Sequence, residues 1–500
     1  MSITVTTRAG RVEGTQEDGV AIFRGIPFGR APVGARRFAA PEAPEPWTGT
    51  RDATRFGAVA HQADTTGSPM NQLVTFADEQ ASEDCLFLNV TTPAADGRRR
   101  PVLVWIHGGA FVFGSGSQPM YDARHLSARG GVVVVTINYR LGVFGWLHDR
   151  EIGASGNQGL LDQVAALRWV QAEIEAFGGD PDNVTVFGES AGAISISALL
   201  AAPHAMGLFH KAILQSGSAN LVHTMVRART ATRRIHGEAA SDLRELPAET
   251  LQSIQDTATP RSDGVFYGPV IEPEVLPVEP FAAIGSGSAT GVPVLVGTNL
   301  DEWRFFQGLD PRTAMLDEEG LAMLVGRLIA NGGEAPSPET SLRVIDTVRE
   351  ARSARGEPVT PPELWFAIGT DFVFRYPAMR LAELQSRHAP AYAYLFDWPS
   401  PVQGGVIGAG HLVEVPFVFG THRDPTIRPF AGEGAEADRL SECMQDAWIA
   451  FARTGDPGHD DLPGWSPYDA KQRATMRLGA TCQAVDAPRE AERAVWDSLS

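Results

Sequence analysis

The sequence predicts an α/β protein: a large, mostly parallel sheet flanked by helices, with helical insertions capping it. Three observations carry this. Residues 101–106 (PVLVWI) and 131–138 (GVVVVTIN) are unbroken apolar runs, the pattern of central strands buried on both faces. Residues 159–177 space Leu160, Val164, Leu167 and Val170 three or four apart, as one helical face requires. Strand-like and helix-like segments then alternate along the chain.

Taken in order, the first 60 residues read as short strands broken by Gly and Pro. Residues 61–82 are polar and read as a surface loop. Residues 183–187 (NVTVF) form a strand and 191–201 a helix of small residues. Strands follow at 211–215, 292–297 and 391–397, and an amphipathic helix at 437–453. Residues 222–290 and 304–385 are charged and mostly helical. With 61–82 they read as insertions on one domain spanning 1–500, not as separate domains. No repeat with a period of 20–50 residues is visible.

Of the 500 residues, 43% are hydrophobic and 20% charged, ordinary values for a globular protein. The formal charge of −18 repels phosphate backbones and argues against nucleic acid as a partner. Cys85, Cys443 and Cys482 are too few for a disulfide framework, which suits a reducing compartment. The N-terminal stretch lacks an apolar signal core, and no run reaches the roughly 18 apolar residues of a membrane span. The expectation is a cytoplasmic protein without a membrane partner. Lys211 and Lys471 are the only lysines, which suits a GC-rich bacterial genome.

Gly188-Glu189-Ser190-Ala191-Gly192 is the only G-x-S-x-G match. A chain of this length yields one by chance about one time in four, so its context must carry the weight. That context is a strand running in and a helix running out. A nucleophile elbow needs small residues two before and two after the serine, where the backbone folds tightly. His107-Gly108-Gly109-Ala110-Phe111 follows the strand 101–106. Adjacent glycines let backbone amides turn toward a developing oxyanion. The amides of Gly108, Gly109 and Ala191 are the expected donors.

A serine needs a general base, and histidine serves near neutral pH. In hydrolases built on such an elbow the chain order is serine, acid, histidine. The acid is expected in VGTNLDEW, with Glu302 favoured and Asp301 left open as the alternative. Of the later histidines, His388, His422 and His459 sit in polar or charged loops. His411 follows a Gly-rich loop and precedes an apolar segment, which suits an imidazole presented into a pocket.

The stretch FGGDPDNVTVFGESAG at 177–192 resembles the serine signature of the type-B carboxylesterases, relatives of the cholinesterases and neuroligins. EDCLFLNVTTP at 83–93 is similar to the family's second signature. FRGIPFGRAPVGARRF (23–38), WIHGGAF (105–111), NYRLGVFGWL (138–147), GNQGLLDQVAALRWV (156–170), QSGS (215–218), GTNLDE (297–302) and GAGHLVEVPFVFG (408–420) match in family order. The resemblance spans about residues 5–455.

The resemblance implies an α/β-hydrolase fold, with Ser190 as nucleophile, His411 as base and Glu302 as acid. It implies oxyanion donors at Gly108, Gly109 and Ala191. It implies that Glu189 is a buried carboxylate stabilising a cationic His411, and that Ser216 is a second serine hydrogen-bonding near the acid. Three departures stand out. Thr75, beside Phe76, replaces the choline-binding tryptophan of the cholinesterases. No cysteine precedes Cys85 to form the disulfide of secreted relatives. Ala110 replaces the third oxyanion glycine.

The implied activity is a cofactor-independent hydrolysis of small-molecule carboxylic esters through an acyl-enzyme. An amide, carbamate or other xenobiotic hydrolase with the same site is the alternative, and a non-catalytic neuroligin-like binding protein a remote one. No HExxH, CxxC or GxxxxGK[ST] motif calls for a metal or cofactor. Phe111, Phe113, Phe305 and Phe306 are available either to line an apolar pocket or to pack the interior. The sequence leaves the oligomeric state open between monomer and homodimer.

Overall fold

The computed structural model describes residues 2–62, 79–259, 266–330 and 336–499. Residues 63–78, most of the stretch expected as a surface loop, lie outside them, as do Thr75 and Phe76.

The strands are β1 (Ser2–Thr6), β2 (Arg11–Glu17), β3 (Val20–Pro27), β4 (Thr50–Asp52), β5 (Phe87–Thr92), β6 (Arg100–Ile106), β7 (Val133–Ile137), β8 (His148–Asp149), β9 (Ala154–Ser155), β10 (Gly179–Glu189), β11 (Lys211–Gln215), β12 (Val294–Asn299), β13 (Ala391–Phe396), β14 (Ala474–Leu478) and β15 (Gln483–Asp486). Except for the small β8–β9 hairpin they form one sheet in the order β1-β2-β3-β5-β7-β6-β10-β11-β12-β13-β14-β15, with β4 beside β2. From β7 to β14 every pairing is parallel, and antiparallel strands close both ends.

The apolar runs are continuous because the central strands are covered on both faces. In β6, Val102, Val104 and Ile106 pack on one face with Leu160 and Val164 of the helix Gln158–Glu173. Leu103 and Trp105 pack on the other with Met444 and Trp448 of the helix Ala435–Thr454. A one-residue slip would exchange the two sets, so both cores fix the register. A third cluster lies among the helices Glu318–Ala330, Pro338–Ala354 and Pro361–Thr370, within the region read as a helical insertion, and takes in the helix Glu490–Asp497 from beyond that region.

Two ion pairs join the quoted motifs. Arg37 donates to Glu83 through Nε at 2.6 Å and Nη2 at 2.8 Å. Arg140 grips buried Asp162 the same way, at 2.8 and 2.7 Å. Each tethers the chain around the first half of the sheet.

Candidate active site

β10 ends at Glu189 and the helix Ala191–Ala201 begins at once, so Ser190 makes the turn alone, with φ 55° and ψ −122°. That conformation is strained for a residue with a side chain, and surrounding bonds hold it. The Ser190 amide donates to Gln215 O and its carbonyl accepts from the Ile194 amide, both at 2.9 Å. The flanking glycines are steric necessities. A Cβ on Gly192 would lie 1.9 Å from Ile106 O, and one on Gly188 2.6 Å from the same oxygen. The elbow therefore closes against the end of β6. Ala191 opens the helix, and its amide is one of the orphan N-terminal donors.

The loop after β6 lies against this turn. Gly109, Ala110 and Phe111 all take positive φ, at 105°, 51° and 65°. A Cβ on Gly108 would sit 2.7 Å from Glu189 Oε2 and 3.1 Å from Ser190 Cβ. The Gly108 and Gly109 amides donate to no acceptor among the described residues. His107, just before them, is structural. Its ring stacks on Tyr139 with centroids 4.4 Å apart, and burial pulls its imidazole down to about 4, so it stays neutral.

Glu302 and His411 meet. Glu302 opens the helix Glu302–Gln307 at the end of β12 and is fully buried. Its Oε1 accepts from the Asn299 amide at 2.7 Å, and its Oε2 lies 2.6 Å from His411 Nδ1. A carboxylate can only accept, so Nδ1 carries the proton and, in a neutral ring, Nε2 keeps its lone pair. Nε2 has no hydrogen bond among the described residues and lies 3.0 Å from Glu189 Oε1. Glu189 directly precedes Ser190, so the imidazole edge is delivered to the serine turn. Asp301, the alternative acid, serves elsewhere: its Oδ2 accepts from the Ala409 amide at 3.1 Å.

Ser216 takes φ 52°, and its hydroxyl donates to Glu414 Oε1 at 3.3 Å. Its carboxylate partner is thus Glu414, a residue the sequence reading did not single out, and not Glu302. Glu189, Glu302 and Glu414 form a buried acidic cluster around one imidazole. Burial pushes the Glu189 carboxyl up to about 7, against the opposing pull of His411. Burial likewise pushes Glu414 up to about 8. Burial alone would lower His411, but the charges of Glu189 and Glu302 outweigh it and hold the imidazole above its ordinary range.

Three phenylalanine rings surround His411: Phe374 at 4.9 Å, Phe306 at 5.0 Å and Phe305 at 5.9 Å between centroids. Phe306 is 41% exposed and stacks on Phe374, whereas Phe305 is buried. Phe111 is fully buried against Trp146, so it packs the interior. Phe374 escaped the sequence reading. It lies in a π-helical turn, 371–375, inside the helical insertion, and no local motif marks it.

Asp446, His459 and Asp461 bring metal-ligand atoms within 4.8 Å of one another on and beside the helix Ala435–Thr454. Both Asp446 oxygens are already held by Arg129, at 2.7 and 2.6 Å.

A parallel sheet that presents a strained serine, free loop amides and a His–Glu pair at its strand ends defines a serine hydrolase of the α/β-hydrolase fold. The profile described as "Carboxylesterase family" matches residues 1–496, and the chain belongs to that family. It is a carboxylic ester hydrolase, which decides against the adhesion-protein reading. Among curated relatives, the para-nitrobenzyl esterase of Bacillus subtilis is 38% identical over 98% of this chain and 97% of its own length. The phenmedipham hydrolase of Pseudarthrobacter oxydans is 36% identical over 95% and 94%. The solved structure of the Geobacillus stearothermophilus carboxylesterase EST55 superposes with a TM-score of 0.87 at 42% identity, covering 99% of both chains.

Proposed function

We propose that Ser190, His411 and Glu302 carry the ester hydrolysis as nucleophile, base and acid. The observation that supports this best is the short Glu302–His411 contact, which leaves Nε2 unbonded beside the serine turn. Nε2 takes the Ser190 proton as Oγ attacks the ester carbonyl. The oxyanion forms against the amides of Gly108, Gly109 and Ala191, each donor contributing about 3 kcal/mol in the transition state. Imidazolium charge is balanced by Glu302 and Glu189. The alcohol leaves with the proton from Nε2, and water then repeats the sequence on the acyl-enzyme.

The substrate class is a small-molecule carboxylic ester, and a relative named for a para-nitrobenzyl ester supports an ester with an aromatic alcohol part as test substrate. The chain works as one catalytic domain with the helical segments as its cap. A bacterial source and a cytoplasmic location complete the reading, supported by the scarcity of lysine and three unpaired thiols. Among the described residues no helix is long and apolar enough to cross a membrane.

Labelling with a serine-directed fluorophosphonate tests the site. The expected product carries one label, mapped to the peptide holding Ser190, and loses esterase activity in proportion. A label on any other serine, with activity lost, contradicts the assignment.

A further inference from the structure

Cys443 and Cys482 lie 39 positions apart, yet their sulfurs stand 3.6 Å from each other. Cys443 is on the helix Ala435–Thr454, and Cys482 is in the turn joining β14 to β15. Both are half-buried, so a small reagent reaches them, while Cys85 is fully enclosed. A disulfide needs about 2.05 Å between sulfurs, so closure asks for roughly 1.5 Å of movement. One partner sits on a sheet-edge turn, where such movement costs little. The thiols also differ in character. A hydrogen bond from Cys443 holds the Cys482 thiol below its usual range, which makes Cys482 the attacking sulfur. Nε2 of His459 lies 3.9 Å from Cys443 Sγ.

We propose that Cys443 and Cys482 are a redox modification site that closes into a reversible cross-link by exchange with a low-molecular-weight disulfide. The Cys482 thiolate attacks one sulfur of the reagent, whose S–S bond breaks and releases one thiol. Cys443 then gives up its proton and attacks the Cys482 sulfur, releasing the second thiol. The two protein thiols are oxidised and one reagent disulfide is reduced to two thiols, so protons and electrons balance. The product staples the antiparallel edge of the sheet to the helix Ala435–Thr454. That helix also holds the segment after His411, through the Ser441 hydroxyl bound to Phe417 O at 2.8 Å. The cross-link raises stability by shortening the unfolded chain's free loop.

The test equilibrates the full chain with glutathione disulfide and counts thiols after acid quenching and denaturation. The expected count falls from three to one, the mapped link joins Cys443 to Cys482, and Cys85 stays free. Thermal unfolding shifts up by a few degrees and returns on reduction with dithiothreitol. In Cys443→Ser the reaction stops at one glutathionyl group on Cys482. Three thiols persisting in the wild type overturn the proposal, as does a link that includes Cys85. Stoichiometric zinc that shields both thiols from the reagent also overturns it, because the pair is then a metal site.

Discussion

Asp301 and Ala409 are joined by two hydrogen bonds. The Asp301 amide donates to Ala409 O at 2.9 Å, and the Ala409 amide donates to Asp301 Oδ2 at 3.1 Å. They pin the loop that carries His411 to the end of β12, beside the acid that touches the imidazole. Gly408 belongs to the same clamp: a Cβ there would lie 2.5 Å from Asp301 Oδ2. Two adjacent carboxylates thus have separate tasks, Asp301 on the backbone and Glu302 on the ring. Asp301→Ala is therefore expected to lower kcat about 10- to 100-fold through displacement of the imidazole. Asp301→Asn keeps an acceptor for the Ala409 amide and should lose less. Steady-state kinetics of the two variants check this, and equal activity of Asp301→Ala and wild type would count against the clamp.

Glu302→Gln removes the charge that orients Nδ1–H and offsets the imidazolium. A fall in kcat of about 10³- to 10⁴-fold is expected, with KM little changed and the fold intact by circular dichroism. A loss confined to KM would mean that Glu302 only shapes the pocket.

Glu189 is expected to set the acidic limb of the pH profile. Its carboxylate raises the His411 pKa, and the base works only when unprotonated, so activity is lost as pH falls through that raised value. Glu189→Gln removes one of the two charges, lowers the His411 pKa and should move the acidic limb of kcat/KM to lower pH. An unmoved limb would show that Glu189 does not act on the imidazole.

Gly192→Ala places a methyl 1.9 Å from Ile106 O, where the elbow meets β6. Backbone must shift to admit it, and a loss of about 4 kcal/mol or more is expected, seen as a large drop in Tm or in soluble yield. Gly464→Ala, which meets nothing within 4 Å, is the control and should leave Tm unchanged.

Phe306 is the exposed ring of the aromatic wall around His411. Phe306→Ala should raise KM for an aryl ester about 3- to 10-fold, with a smaller change for an alkyl ester of similar size. Equal changes for both would remove it from substrate contact.

The elbow was legible because its chemistry is local: strand, serine and helix adjoin, and the small residues two before and two after are steric requirements. The six segments read as strands correspond to β6, β7, β10, β11, β12 and β13, and at β6 and β7 burial on both faces leaves an unbroken apolar run. β15 left none because it is an exposed edge strand, and β14, though largely buried between β13 and β15, interrupts its apolar residues with Thr475 and Arg477. The helix read at 159–177 ends at Glu173 and tightens into a 3-10 turn over Ile174–Phe177, which Gly178 terminates at φ 81°. Asp301 and Glu302 could not be told apart along the chain, because what separates them is a loop more than 100 residues away. Glu414 and Phe374 were missed on the same ground: their partners, Ser216 and His411, are neighbours only after folding.

Hydrolysis of a short-chain para-nitrophenyl ester by wild type and by Ser190→Ala, with both folds verified, tests the central claim most directly. The account predicts turnover by wild type and near-complete loss in the folded variant. Wild-type turnover by Ser190→Ala would contradict it, because the nucleophile would then lie elsewhere.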